Sequence, residues 1–231
     1  MPTLLITGAN RGIGLELSKQ FLESGWQVLA TCRNPSNATE LNALSDNYSE
    51  LLTIHALDVA KEDQITALKE TLADTPIDIL FNNAGVYGGE SGDFGSSNTA
   101  VWLDTFNINV ISPMKMMEAF VDNVEKGNKK LIASMSSKMG SMSDNGSGGA
   151  YAYRSSKAAL NSVMTSAHHD LKTKGISSII LHPGWVRTDM GGPNGELSVE
   201  ESATQLLKIL INASIEDSGK FFDIDGSLIA W

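Results

Sequence analysis

The chain has 231 residues, 42% of them hydrophobic and 6% aromatic, with one cysteine and a formal charge of −10 at neutral pH. This length suits a single α/β domain spanning residues 1–231, and the acidic balance disfavours nucleic acid or an anionic membrane as main partner. No apolar run reaches the roughly 20 residues that a membrane span needs, and the lone Cys32 excludes an internal disulfide framework.

The first ten residues, "MPTLLITGAN", are only briefly apolar and have no basic leader, so a cytoplasmic location is expected. Residues 3–8 read as a strand, and 13–24 as a helix with Leu15, Leu17, Phe21 and Leu22 on its apolar face, followed by Gly25. Strand patterns follow at 26–32, 51–59 and 77–85, separated by helical patterns at 38–47 and 61–74. The second half continues with a long helical region at 99–126, a strand at 129–137 and a helix at 151–174. A strand at 176–184, a helix at 198–212 and a closing strand at 220–226 complete the series.

Strands alternating with helices imply right-handed βαβ units. The expected fold is therefore α/β: a Rossmann doubly wound parallel sheet of about seven strands, order 3-2-1-4-5-6-7, with helices on both faces. Glycine- and serine-rich segments at 85–98, 141–149 and 190–198 each follow a strand. Ligands in such sheets bind at the carboxyl ends of strands, so these segments read as active-site loops, with 191–198 as a lid. The four histidines lack metal-ligand spacing, and no metal site is expected.

"ITGANRGIG" leaves the first strand and enters the first helix, with Gly8, Gly12 and Gly14 in the pattern Gly-x-x-x-Gly-x-Gly. Such glycines serve a tight turn, close approach of a pyrophosphate, and helix–sheet packing. The residues between them, Asn10, Arg11 and Ile13, join the candidate cofactor site at a helix N-terminus suited to phosphate. An NAD enzyme usually places an acid about 20 residues beyond the glycines, on the ribose 2′-hydroxyl. Here the second strand ends in "ATCRNP", which offers Arg33 instead. Arg33, assisted by Arg11, would attract a 2′-phosphate, so NADP(H) is favoured over NAD(H). The competing reading of Arg33 is a solvated surface charge.

"AYAYRSSKAAL" (150–160) holds Tyr151, Tyr153 and Lys157. Residues four apart share a helix face, which couples Lys157 to Tyr153 and leaves Tyr151 at the helix entry. A tyrosine with its ordinary pKa of about 10 exchanges protons poorly near neutrality. A neighbouring ammonium and a cationic nicotinamide would lower that value.

Together "TGANRGIG", "NNAG" (82–85), Asn109, the serine pair 136–137, "YRSSK" and "PG" (183–184) resemble the classical short-chain dehydrogenase/reductase family over essentially the whole chain. "SSKMGSM", "HPGWVRTDMGG" and the ending "FFDIDGSLIAW" are most similar to its C-factor and Sniffer-type carbonyl reductase branch. The resemblance implies Tyr153 as general acid/base, Lys157 on the nicotinamide ribose, and a serine holding the substrate oxygen. Ser137 is preferred to Ser136 because Gly140 follows it by three, as in the family's Ser-x-x-Gly pattern. Asn109 would support a proton-relay water at a helix interruption, with Asn107 as the competitor.

By the same resemblance, Asp58 and Val59 would lie near the adenine, and Asn83, Ala84 and Gly85 near its ribose. Pro183, Gly184, Val186 and Thr188 would line the nicotinamide. The expected activity is NADPH-dependent hydride transfer to an aldehyde or ketone, the small-molecule carbonyl partner, by a homodimer or homotetramer. The alternative is a cofactor-binding signalling protein of C-factor type. Sixteen positions separate Ser137 from Tyr153, a longer gap than is commonest in the family, and the excess falls in 141–149.

Overall fold

The computed structural model describes residues 1–89 and 94–231. Part of the loop expected at 85–98, residues 90–93, therefore lies outside the described residues. The sheet holds β1 (Thr3–Thr7), β2 (Gln27–Cys32), β3 (Leu52–Ala56), β4 (Ile79–Asn82), β5 (Leu131–Met135), β6 (Ser177–Leu181) and β7 (Phe221–Phe222). Its order is β3-β2-β1-β4-β5-β6-β7 and every pairing is parallel. This is the doubly wound Rossmann-like arrangement that the sequence implies.

Successive strand residues face opposite sides of a sheet, and β1 shows the consequence. Leu4 and Ile6 join the apolar layer containing Phe21, Leu206 and Leu210, from helices α1 (Gly12–Glu23) and α7 (Val199–Asn212). The intervening Leu5 joins the opposite layer with Leu68, Phe120 and Leu160. Those residues come from α3 (Glu62–Leu72), α5 (Ser112–Lys126) and α6 (Tyr151–Leu171). Both faces are covered, which is why the central strands are apolar along their whole length rather than alternating.

α2 (Thr39–Tyr48) and α4 (Thr99–Phe106) complete the helices. The expected helix at 99–126 is in fact α4, a π-helical turn at Asn107–Ile111, and α5. Pro113 contributes to the break, because it lacks the N–H that an α-helix would direct at the Asn109 carbonyl. The closing strand is also shorter than 220–226. The Asp223 and Gly226 N–H groups bond the carbonyls of Ser227 and Asp223, turning the chain after Phe222. No helix among the described residues is long and apolar enough to cross a membrane.

Candidate active site at the carboxyl edge of the sheet

The glycine loop turns back immediately after β1. Gly8 and Gly12 have φ of +68° and +54°, a region that disfavours side chains. A Cβ on Gly14 would lie 2.3 Å from the Gly8 carbonyl oxygen and 2.5 Å from Asn83 Nδ2, so that position admits only glycine. Arg11, at the N-cap of α1, gives no side-chain cap, leaving the first helical N–H groups directed at the cleft. Asn10 and Ile13 are half-buried in the same turn.

Asn83 fastens this loop to the end of β4. Its side-chain amide donates to the carbonyls of Thr7 (2.9 Å) and Gly8 (3.1 Å), while its backbone N–H and that of Ala84 donate to the Thr7 hydroxyl. The sequence reading placed Asn83 at a ribose and overlooked both this strut and Thr7. Asp58 is partly committed as well: one carboxylate oxygen accepts from the Ala60 N–H at 3.1 Å, starting the turn into α3. Val59 lines a small recess with Thr7, Ala84 and Ile108.

Arg33 is exposed at the end of β2, with no ion pair or hydrogen bond from its guanidinium to any described residue. Arg11 differs from expectation, because it pairs with Asp189 from the segment after β6. That segment crosses the glycine loop: a Cβ on Gly12 would meet the Thr188 methyl at 3.7 Å. Pro183 accepts a hydrogen bond from Ser202, and Gly184 has φ of +80°. Val186 is buried and bridges to Leu197, while Arg187 bonds the carbonyls of Gly195 and Glu196. The segment expected as a lid is thus laced to residues 185–187.

At the other end of the cleft, α6 carries Tyr153 and Lys157 on one face, both buried. The Lys157 ammonium lies 5.7 Å from the Tyr153 ring centroid and donates to the Met135 carbonyl at 2.8 Å. Ser137 is buried beside the Tyr153 phenol, whose pKa it acts to lower, and accepts the Met139 N–H at 3.2 Å. Ser136 instead donates to Asn161 at 2.6 Å inside the fold. A Cβ on Gly140 would lie 2.8 Å from the Lys157 backbone carbon and Cβ, which gives the Ser-x-x-Gly spacing a packing reason. Gly85 lies under Lys157 and Asn109 in the same way, with 3.5 Å and 3.2 Å clearances.

Asn109 is buried, and its side chain brackets Val86. Oδ1 accepts from the Val86 N–H at 2.9 Å, and Nδ2 donates to the Val86 carbonyl at 2.8 Å and to Ser156 at 3.0 Å. The competitor Asn107 is used through its carbonyl, which accepts from Ser112.

Burial pushes the Tyr153 phenol up to about 12; the neighbouring Ser137 side chain opposes this and Tyr87 adds to it. Burial also pulls the Lys157 ammonium down to about 8. The expected lowering combined the Lys157 ammonium with a cationic nicotinamide; the protein's own groups, without the cofactor, leave the phenol raised. Desolvation outweighs the lysine, whose ammonium faces the Met135 carbonyl. No cluster of three or more His, Cys, Asp or Glu among the described residues could hold a metal.

A family model for short chain dehydrogenase matches residues 2–197. The C-signal protein of Myxococcus xanthus is 41% identical over 156 residues, covering 68% of this chain and 93% of that protein. Among solved structures, carbonyl reductase Sniffer of D. melanogaster superposes with a TM-score of 0.93 at 34% identity, covering 100% of both chains. NADPH-bound carbonyl reductase from chicken fatty liver superposes with a TM-score of 0.92 at 33% identity, covering 100% of this chain and 99% of its own.

Proposed function

The chain belongs to the short chain dehydrogenase family, and we propose that within it the protein is an NADPH-dependent carbonyl reductase acting on an aldehyde or ketone. The carrying observation is the grouping of buried Ser137, Tyr153 and Lys157, with the Lys157 ammonium 5.7 Å from the Tyr153 ring centroid. Two similar solved proteins are carbonyl reductases, one with NADPH bound.

The chain's own residues fit the cofactor. Gly8, Gly12 and Gly14 form a cradle that a Cβ would fill or strain, and the uncapped N-terminus of α1 suits a pyrophosphate. Arg33, with no ion pair to any described residue, offers a cation for the 2′-phosphate. When bound, NADPH supplies the hydride for the carbonyl carbon. Pro183, Gly184, Val186 and Thr188 would flank the nicotinamide, and Asp58 and Val59 the adenine.

Ser137 then polarises the carbonyl oxygen, and Tyr153 donates the phenolic proton to it, leaving an alcohol. Lys157 holds the ribose hydroxyls and stabilises the phenolate. The Asn109 carbonyl, which Pro113 leaves without its α-helical donor, supports the water that returns the proton. Replacing Tyr153 with Phe is expected to lower kcat by about 10²–10⁴-fold while the Kd for NADPH changes by less than about twofold. Turnover retained in Tyr153→Phe overturns the mechanism.

A second reading, a cofactor-binding signalling protein, is favoured by the likeness to C-signal. NADPH oxidation against a panel of aldehydes, ketones and quinones separates the two: activity supports the reductase, and its absence across the panel supports signalling. A cytoplasmic homodimer or homotetramer belongs to the reductase reading, and light scattering on purified protein tests the assembly.

A further inference from the structure

Tyr87 lies five residues beyond the end of β4, with its ring centroid 4.7 Å from that of Tyr153 and the planes tilted by 34°. Tyr153 is the inner ring at 8% exposure; Tyr87 is the outer one at 42%. An exposed aromatic on a loop ordinarily has freedom to move. Tyr87 has little, because the chain is fixed on both sides of it. Val86, before it, is bracketed by the buried Asn109 through both backbone polar groups. Gly88, after it, has φ of +86° and packs so closely that a Cβ there would lie 2.5 Å from the Thr105 hydroxyl. Thr105 is itself buried and donates to the Val101 carbonyl. Buried groups thus hold an exposed ring against the proton donor. Tyr151, half-exposed at the start of α6 and in edge contact with Phe94, adds aromatic surface at that end of the helix.

We propose that Tyr87 is a specificity-determining residue whose exposed ring selects carbonyl groups conjugated to a flat aromatic ring. This rests on the reductase reading, since it assigns a substrate class to that site. A flat ring gains offset or edge-to-face contact with Tyr87 while its carbonyl oxygen reaches Tyr153 and Ser137. A puckered saturated ring of the same size keeps the buried area but loses the quadrupole contact, which is worth about two- to tenfold in affinity.

The test compares benzaldehyde with cyclohexanecarbaldehyde, each reduced with NADPH, in the unsubstituted protein, Tyr87→Phe and Tyr87→Leu. The ratio of kcat/KM values cancels changes common to both substrates. Tyr87→Phe should keep the ratio, and Tyr87→Leu should reduce it by about two- to tenfold in disfavour of benzaldehyde. A ratio unchanged in Tyr87→Leu, with or without an equal loss for both substrates, overturns the assignment while leaving the reductase reading intact. No reduction of any carbonyl by the unsubstituted protein instead removes the reductase reading, and this inference with it. A second measurement needs no variant: benzyl alcohol should inhibit aldehyde reduction more tightly than cyclohexylmethanol. Equal or weaker inhibition by benzyl alcohol counts against an aromatic wall.

Discussion

Lys157 places an ammonium where the fold would be better served by a methionine. It is 4% exposed, and its hydrogen bond to the Met135 carbonyl satisfies one of three donors. Burial lowers its pKa from 10.5 to about 8, so between those values the unfolded chain binds a proton that the folded one has released. Stability contributed by this site therefore rises as pH increases through that window, by on the order of 3 kcal/mol in all. Lys157→Met lacks this dependence. Urea unfolding of both proteins should find the variant favoured at pH 7 relative to pH 10, the difference shifting toward the unsubstituted protein as pH rises. A difference independent of pH would contradict the assignment of a buried, depressed ammonium. Such a residue is what a functional site retains against the interest of stability.

The elements around Tyr153 show what periodicity conveys and what it does not. The four-residue spacing of Tyr153 and Lys157 is a helix property, so their shared face was legible. So were the seven strands, read from short apolar runs between helical patterns. The π turn at Asn107–Ile111 was legible only as an interruption, since Pro113 signals a missing N–H but not the size of the turn. Long-range ties were not legible at all: nothing local announces that Asn83 will hold the glycine loop or that Asn109 will hold Val86.

The longer interval between Ser137 and Tyr153 is resolved by a tie of this kind. Arg154, one residue after Tyr153, donates to the carbonyls of Met139 (3.3 Å) and Gly148 (3.2 Å) and to the Ser147 hydroxyl (2.8 Å). The segment is thereby fastened to the helix that carries Tyr153. Arg154→Ala should raise amide hydrogen exchange across 139–149 and lower kcat by about tenfold through misplacement of Ser137, with little change in the Kd for NADPH. Unaltered exchange in that segment would show that the three hydrogen bonds do not hold it.

Across the whole molecule, acidic residues outnumber basic ones by 27 to 17, so an anionic cofactor must be drawn in by local charge rather than by the net field. β1 and β2 pair with Thr7 opposite Thr31, and the Ala9 N–H reaches the Thr31 carbonyl. The turns bearing Arg11 and Arg33 therefore leave the same edge of the sheet. Arg33 has no ion pair with any described residue, whereas Arg11 is engaged by Asp189 across the cleft. On the proposed reading, a 2′-phosphate finds Arg33 open and must compete with Asp189 for Arg11. Opposite effects follow from substituting the two positions. Arg33→Asp removes a charge-assisted contact and adds repulsion, and should raise the KM for NADPH by about 10–100-fold with a much smaller change for NADH. Asp189→Asn frees Arg11 and removes one negative charge, but the pair is largely exposed, so the KM for NADPH should fall by only about two- to fivefold. Both effects should shrink as ionic strength increases, because these groups face solvent. Steady-state kinetics with each cofactor at low and high salt decide the matter. An NADPH preference that survives Arg33→Asp would place the 2′-phosphate elsewhere in the cleft.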